Sequence, residues 1–152
     1  MEKGIEFKIS DGSKLKIGIA HSRWNDFIIN PLVENCKKAL LESGVSEENI
    51  FELSVPGAYE VPLAAKKLID NKKVDAVVCL GALIKGETMH FEYIAEAVTN
   101  GIMKLNLETG IPVIFGILTC LNEDQAIERS SGKLNSGYEW GMTAVEMALL
   151  RD

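Results

Sequence analysis

The chain has 152 residues, of which 47% are hydrophobic and 25% charged, and its formal net charge is −6. These values fit one folded domain over residues 1–152 and exclude an intrinsically disordered chain. The acidic balance and the lack of a basic block argue against nucleic acid or a membrane as a partner, and no apolar run approaches the ~20 residues of a membrane-spanning helix.

The first half of the chain predicts two strand–helix pairs. Residues 14–20 alternate and then become fully apolar, which indicates a strand. Residues 26–41 show helical periodicity and end at Ser43-Gly44, a common helix stop. Residues 50–55 predict a second strand, and residues 59–71 a second helix.

The second half continues the alternation. Residues 74–80 are apolar and rich in β-branched side chains, as in a strand buried on both faces, and a glycine turn is predicted to follow at Gly81. A long helix is predicted at 88–108 and a strand at 111–118. A short helix follows at 122–131, and the last helix is predicted at 139–150 after a break at Ser136-Gly137.

Strands that alternate with helices favour a parallel sheet covered on both faces. We therefore expect an α/β fold, a three-layer αβα sandwich of the flavodoxin-like type. The sheet has four parallel strands, and residues 5–9 are a candidate N-terminal edge strand.

The cysteine pattern bears on compartment and metal binding. The three cysteines, Cys36, Cys79 and Cys120, are widely spaced and form no C-x-x-C unit, and the start of the chain lacks a signal-peptide pattern. We expect a reducing, cytoplasmic location. With only two histidines in the chain, we expect no structural metal site.

Unusual residues follow the carboxyl ends of the predicted strands, where ligands bind in sheets of this kind. The turns at the opposite edge have ordinary turn composition. This asymmetry predicts that one edge of the sheet is a site. The runs concerned are residues 21–25, 55–60, 81–90 and 116–119.

The connection after the third strand carries chemistry of its own. Gly86-Glu87-Thr88 precedes a predicted helix start, whose free N–H groups favour an anion such as phosphate. His90 lies beside it and is able to transfer protons near neutral pH. Helix capping and a structural histidine are the ordinary alternatives, but together the two features suggest an enzyme site.

Five runs of residues give the chain a family resemblance that extends from about Leu15 to Leu149. In their order and spacing they are similar to the 6,7-dimethyl-8-ribityllumazine synthases. The runs are Arg23-Trp-Asn25, Val55-Pro-Gly-Ala-Tyr-Glu60, Leu83-Ile-Lys-Gly-Glu-Thr-Met-His90, Phe115-Gly-Ile-Leu-Thr119 and Glu123-Asp-Gln-Ala-Ile-Glu-Arg129.

The resemblance implies a transferase of riboflavin biosynthesis that acts at the penultimate step. It condenses 5-amino-6-(D-ribitylamino)uracil with 3,4-dihydroxy-2-butanone 4-phosphate and releases phosphate and water. No cofactor and no metal are implied. Riboflavin or phosphate is a candidate occupant of the site, because each resembles part of a substrate or product.

The resemblance also assigns roles to residues. His90 is implied as the proton-transfer residue, and Trp24 as the surface on which the pyrimidine ring stacks. On the residues alone, Trp24 also fits an edge aromatic, Glu60 a helix-dipole partner and Phe115 a core residue. The implied pyrimidine and ribityl contacts are Trp24, Asn25, Gly57, Ala58, Tyr59, Glu60, Leu83, Ile84, Lys85 and Phe115.

For the phosphate, the resemblance implies Glu87, Thr88 and Arg129, with Glu87 contributing its backbone amide. An arginine on a short helix is otherwise usually solvated. Near Lys133 the chain departs from the family's Gly-Thr-Lys-x-Gly-Asn-Lys-Gly pattern, being one residue shorter and lacking the second lysine. Lys133 is therefore a doubtful contact. His21 has no implied role and is interpreted as structural.

The family assembles as cyclic homopentamers with the site between subunits, and some members stack twelve pentamers into a 60-subunit icosahedral capsid. This chain lacks an insertion between its last two helices, which favours the shell. Its similarity to fungal members favours the pentamer alone, so both assemblies stay open.

Other functions of the same fold fit this sequence less well. A flavin- or nucleotide-binding module of flavodoxin type needs a phosphate loop after the first strand, where this chain has bulky Trp24 and no glycine. A signalling receiver domain needs acidic clusters that are missing. The remaining alternative is a non-catalytic riboflavin-binding or shell-forming protein. A purely structural shell protein would need none of Trp24, Glu60, His90 and Arg129 together.

Overall fold

The computed structural model describes residues 6–150, which form a four-stranded sheet and five α-helices. The strands are β1 (Ile17–Ser22), β2 (Ile50–Val55), β3 (Ala76–Ile84) and β4 (Val113–Cys120). The helices are α1 (Asp26–Glu42), α2 (Val61–Lys72), α3 (His90–Thr109), α4 (Glu123–Ser130) and α5 (Ser136–Ala148).

The sheet is parallel throughout, in the order β2-β1-β3-β4. Ile17 of β1 lies opposite both Ile50 and Ala76, and Ile84 at the end of β3 lies opposite Cys120. The chain runs outward from β1 to β2 and then returns past β1 to β3. The strand order therefore reverses between β1 and β3, which opens a crevice at their carboxyl ends.

Two separate cores lie on the two faces of the sheet. One is built largely from α1 and α5, around Leu32 and Val145, and the other from α2 and α3, around Val61 and Val98. These layers confirm the predicted α/β fold, a three-layer sandwich of the flavodoxin-like type. No helix within residues 6–150 is long and apolar enough to cross a membrane.

The end of β3 differs from the prediction. The strand continues through Gly81 to Ile84, so the predicted glycine turn at Gly81 is wrong. β4 pairs with β3 as far as Ile84, and a Cβ on Gly81 would lie 3.2 Å from the Cβ of Ala58, so close packing explains this glycine. Thr88 precedes α3 instead of belonging to its first turn.

The last helix begins earlier than predicted. Ser136-Gly137 was expected to break the chain but opens α5. Gly137 lies so close to α1 that an added Cβ would be 2.4 Å from the carbonyl oxygen of Leu32. This glycine is therefore explained by helix–helix contact and not by a turn.

The predicted N-terminal edge strand is not found among the described residues. Residues 6–10 form no strand, and Ile5 lies outside the described range. Gly12 donates a hydrogen bond to the carbonyl of Ser43 at the end of α1. The segment thus enters the fold at the amino edge of the sheet, beside α1.

Candidate active site

A cavity of 470 Å³ opens at the crevice between the carboxyl ends of β1 and β3. It brings together eight of the predicted site residues: Trp24, Asn25, Ala58, Tyr59, Glu60, Leu83, Ile84 and His90. Three further residues line it, Ser22, Ala82 and Ile94. Ile94 could have been predicted, because it lies four residues after His90 and so on the same face of the helix. Nothing in the sequence distinguishes a small strand-end residue such as Ser22 as part of a site.

Trp24 forms one wall of the cavity and is 67% exposed. Its backbone N–H donates to the carbonyl of Pro56, which ties the loop after β1 to the loop after β2. Its ring lies on Gly57, where an added Cβ would be 2.5 Å from Cζ3 of the indole. Gly57 therefore touches the site through Trp24 and does not itself line the cavity.

Asn25 fixes the turn between β1 and α1. It adopts left-handed backbone geometry with φ 64°, which asparagine tolerates better than most residues. Its side-chain Nδ2 donates to the carbonyl of Ala82 on β3, at 3.3 Å. The loop that carries Trp24 is thus connected to both strands that flank the crevice.

Ala58, Tyr59 and Glu60 form a 3₁₀ turn that leads into α2. Pro62 follows at the start of α2, where its missing N–H has no cost. Glu60 is half-buried in the cavity wall and Tyr59 is exposed. A carboxylate here offers hydrogen-bond acceptors to hydroxyl groups of a ligand.

His90 is the first residue of α3, and its exposed side chain lines the cavity opposite the loop of Trp24. Its backbone N–H donates to Oγ1 of Thr88 at 3.4 Å. The preceding residues Gly86, Glu87 and Thr88 are exposed, and a Cβ on Gly86 would meet no atom within 4 Å. Neither packing nor backbone geometry within the subunit requires this glycine.

Lys85 follows the last residue of β3, and its side chain contacts residues of α3. Its backbone N–H donates to the carbonyl of Cys120 at 2.9 Å. Its ammonium forms an ion pair with Glu92 and lies 5.6 Å from the centre of the Phe91 ring. Sequence reasoning missed Glu92, because a glutamate in the first turn of a helix is unremarkable.

Arg129 lies on α4, half-buried, with Nη1 donating to the carbonyl of Gln125. Burial raises the pKa of the Cys120 thiol, and the positive charge of Arg129 opposes this rise. The carbonyl of Cys120 in turn accepts from Lys85. Cys120 lies opposite Ile84 at the end of β3, so α4, which follows β4, starts from the edge of the sheet where the connection from β3 to α3 also begins.

Seven predicted residues do not line the cavity: Gly57, Lys85, Glu87, Thr88, Phe115, Arg129 and Lys133. Phe115 and Lys133 lie on other elements. Phe115, on β4, is 38% exposed and lines a separate groove of 400 Å³ between β4 and α3. Lys133 lies in the exposed connection between α4 and α5. Within one subunit, neither residue reaches the cavity wall.

His21 makes contacts that stabilise the sheet edge outside the cavity. Its Nε2 lies 3.0 Å from Oε2 of Glu52, whose other oxygen accepts from Lys37 on α1. Burial alone would raise the pKa of the Glu52 carboxyl, but the hydrogen bonds from Lys37 and His21 outweigh it and hold the pKa below its ordinary value.

The cysteines are unsuited to nucleophilic chemistry. All three are free and buried, and burial raises the pKa of Cys36 to about 12 and that of Cys79 further still. In residues 6–150, no cluster of three histidine, cysteine or acidic side chains is placed to hold a metal ion. The side chains that line the cavity include an aromatic ring, Trp24, a carboxylate, Glu60, and an imidazole, His90.

Comparison with known proteins identifies the family. The model of the 6,7-dimethyl-8-ribityllumazine synthase family matches residues 14–152. A protein of that name from Pyricularia oryzae is 42% identical, with 98% of this chain and 94% of the relative covered. Another from Schizosaccharomyces pombe is 48% identical, with 91% and 89% covered. The resemblance read from the sequence motifs is thereby confirmed.

Proposed function

This chain belongs to the 6,7-dimethyl-8-ribityllumazine synthase family and is a transferase of riboflavin biosynthesis, and we propose that its catalysis takes place in the cavity between β1 and β3. The substrates are 5-amino-6-(D-ribitylamino)uracil and 3,4-dihydroxy-2-butanone 4-phosphate. The main support for this location is that Trp24, Glu60 and His90 line one cavity, at the point where the strand order reverses.

The reaction requires no enzyme nucleophile. The 5-amino group of the pyrimidine attacks the ketone and loses one water to form an imine. Elimination of phosphate and rearrangement of the enol follow, and the ribityl-bearing nitrogen closes the ring with loss of a second water. The buried cysteines agree with this chemistry, since the attacking amine belongs to the substrate.

The pyrimidine half is held by the loops after β1 and β2. The ring stacks on Trp24, whose orientation is supported by Gly57. Glu60 accepts hydrogen bonds from the ribityl hydroxyls, while Ala58 and Tyr59 border the ring. Leu83 and Ile84, which line the cavity, offer backbone groups to the pyrimidine edge, and Lys85 follows them with its N–H bonded to Cys120.

The phosphate is held at the amino end of α3. The amides of Gly86, Glu87 and Thr88 face it, and the positive end of the helix dipole favours it. Arg129 supplies a cation in forked geometry that suits a phosphate. His90, between the two halves, transfers protons during imine formation and elimination.

The whole chain acts as one domain within a homopentamer. Phe115 is exposed in the groove between β4 and α3, and β4 is an open edge of the sheet. A neighbouring subunit covers this surface, and Phe115 then reaches the neighbour's pyrimidine. Native mass spectrometry tests this assembly: five times the 16.7 kDa subunit mass is expected, and a monomer contradicts it.

The same mass spectrum distinguishes the pentamer from the icosahedral capsid, which would have the mass of sixty subunits. The free cysteines favour the reducing cytoplasm as the location of the enzyme. Riboflavin competes for the same cavity, since its ring and ribityl tail match those of the pyrimidine half.

Turnover is tested by mixing the purified protein with both substrates and following lumazine absorbance. The uncatalysed condensation, run in parallel, is the necessary control. A rate that rises in proportion to enzyme concentration above this background is expected. Riboflavin binding without any rate above background would instead indicate the non-catalytic alternative.

A further inference from the structure

Lys85 and Glu92 form an ion pair that spans the connection from β3 to α3. Lys85 follows the last residue of β3, and Glu92 is the third residue of α3. The side chain of Lys85 also lies over the ring of Phe91. The pair thus joins the two ends of the segment that contains Gly86, Glu87, Thr88 and His90.

That segment has few other attachments. The residues from Gly86 to His90 are exposed, and apart from the bonds within α3 their described hydrogen bonds are local ones, from His90 N–H to Thr88 and from Tyr93 N–H to Met89. An exposed loop with only local bonds samples many conformations unless its ends are held. The backbone of Lys85 is fixed to β4 by its bond to Cys120, and the ion pair, with the contact of Lys85 on Phe91, links that end to α3.

Stability does not account for the pair. One oxygen of Glu92 accepts from Lys85, but the other is buried and has no partner among the described residues. A carboxylate that is desolvated and only half satisfied contributes little net stability, and a neutral side chain of the same shape often does as well. The charged pair is better explained by its effect on the conformation of the connection from β3 to α3.

We propose that Glu92 is a positioning residue: through Lys85 it holds the phosphate-binding amides and His90 in register. This inference rests on the proposed function of the same segment. In this arrangement Lys85 is neutralised by Glu92 and is not the cation for the phosphate, a part that Arg129 plays. Removal of either partner of the pair therefore has the same consequence.

The opposite arrangement makes a different prediction. If Lys85 bound the phosphate directly, Glu92→Gln would free its ammonium and tighten phosphate binding, whereas Lys85→Met would weaken it. The sign of the Glu92→Gln effect separates the two. Lys85→Met retains the backbone N–H bond to Cys120, so only the side chain is tested.

The experiment compares wild type, Glu92→Gln, Lys85→Met and the double variant in steady-state kinetics, with inorganic phosphate as a competitive inhibitor. Each single change should raise KM for the phosphate substrate and Ki for inorganic phosphate about fivefold, as expected for one ion pair. KM for the pyrimidine should stay within about twofold of wild type. The double variant should resemble either single variant, because one interaction is lost in all three.

The Lys66–Asp70 pair on α2 is a matched control. Its atoms are 2.9 Å apart and exposed, so Asp70→Asn removes a comparable ion pair away from the cavity and should leave both KM values unchanged. Glu92→Asp, which keeps the charge on a shorter stem, should recover part of the loss.

Three results would overturn the inference. These are a lower Ki for phosphate in Glu92→Gln, additive losses in the double variant, or equal losses for both substrates that follow a fall in Tm. Wild type without turnover would instead contradict the proposed function. In that case phosphate affinity, measured by calorimetry on the same variants, still decides whether the pair holds the loop.

Discussion

The indole of Trp24 rests directly on the α-carbon of Gly57. A methyl group at Gly57 would lie 2.5 Å from Cζ3 and 2.6 Å from Cε3 of the ring, so the glycine is required by the position of the tryptophan. Two loops from different strands thereby define one wall of the cavity. The backbone of Gly57, with φ −132°, does not itself require glycine.

Gly57→Ala should weaken pyrimidine binding with little effect on folding. Trp24 is mostly exposed and can swing away from the methyl group, so the clash displaces the ring and leaves the core intact. We expect KM for the pyrimidine to rise about tenfold or more, since small displacements of positioning groups are costly. Steady-state kinetics and a thermal melt measure the two effects.

Gly101→Ala is the control for this change. Gly101 lies in α3, and its added Cβ would be 3.4 Å from the Cβ of Pro62 in α2, an ordinary contact between the two helices. Alanine favours a helix over glycine by about 1 kcal/mol, so unchanged kinetics and equal or higher Tm are expected. An unchanged KM for the pyrimidine in Gly57→Ala would show that the Trp24 ring does not contact the substrate.

Gly86→Ala should fold normally and bind phosphate poorly. No atom of the subunit lies within 4 Å of the added methyl group, so Tm should not fall. If a phosphate approaches the amide of Gly86, the methyl group obstructs it, and Ki for inorganic phosphate should rise about tenfold. An unchanged Ki would remove Gly86 from the phosphate site.

His90 and Arg129 should fail in different ways. His90→Ala should keep measurable activity with kcat reduced about a hundredfold, because positioning of two substrates supplies much of the rate. Arg129→Ala should lose the phosphate substrate, with KM raised about a hundredfold and pyrimidine binding retained. Full loss of turnover in His90→Ala would contradict this division of roles.

Stability should depend on pH through Glu52. The hydrogen bonds from Lys37 and His21 depress its folded-state pKa below the ordinary 4.5, so the stabilisation is present above pH 4.5 and is lost as pH falls through the lowered value. Glu52→Gln should reduce the unfolding free energy at pH 7 by about 1 kcal/mol or less.

The difference between Glu52→Gln and wild type should shrink below pH 4.5, where the wild-type carboxyl also becomes neutral. Urea unfolding at fixed protein concentration measures it, since an oligomer is stabilised by mass action. Glu48→Gln, at an exposed position, removes the same charge as a control. A constant difference down to pH 3 would contradict the role of the Glu52 charge.

Much of the fold was predictable from the hydrophobic periodicity and from the residues that begin or end helices and strands. β2 was predicted at its observed bounds, and the short helix predicted at 122–131 is α4, which Asn122 caps with its side chain. Gly81 and Gly137 were read as turns because a sequence does not distinguish a glycine needed for backbone freedom from one needed for close packing. Gly81 packs against Ala58 and Gly137 against Leu32, and each of these neighbours is distant in sequence.

The site was predictable to a similar degree. Trp24, Glu60 and His90 stood out as polar or aromatic residues after strand ends, and the strand order brings those ends together. Glu92 was missed because its significance depends on where the side chain of Lys85 lies, which no local pattern encodes. Phe115 was expected at the pyrimidine from the family resemblance alone, and it lies in the groove between β4 and α3, outside the cavity.

The placement of the pyrimidine on Trp24 is tested most directly by a fluorescence titration. The chain has two tryptophans, Trp24 at the cavity and Trp140 packed against Gly116. Addition of 5-amino-6-(D-ribitylamino)uracil to wild type should quench part of the emission to saturation. In Trp24→Phe the remaining Trp140 emission should not respond. The same saturable quenching in Trp24→Phe would mean that the substrate binds elsewhere.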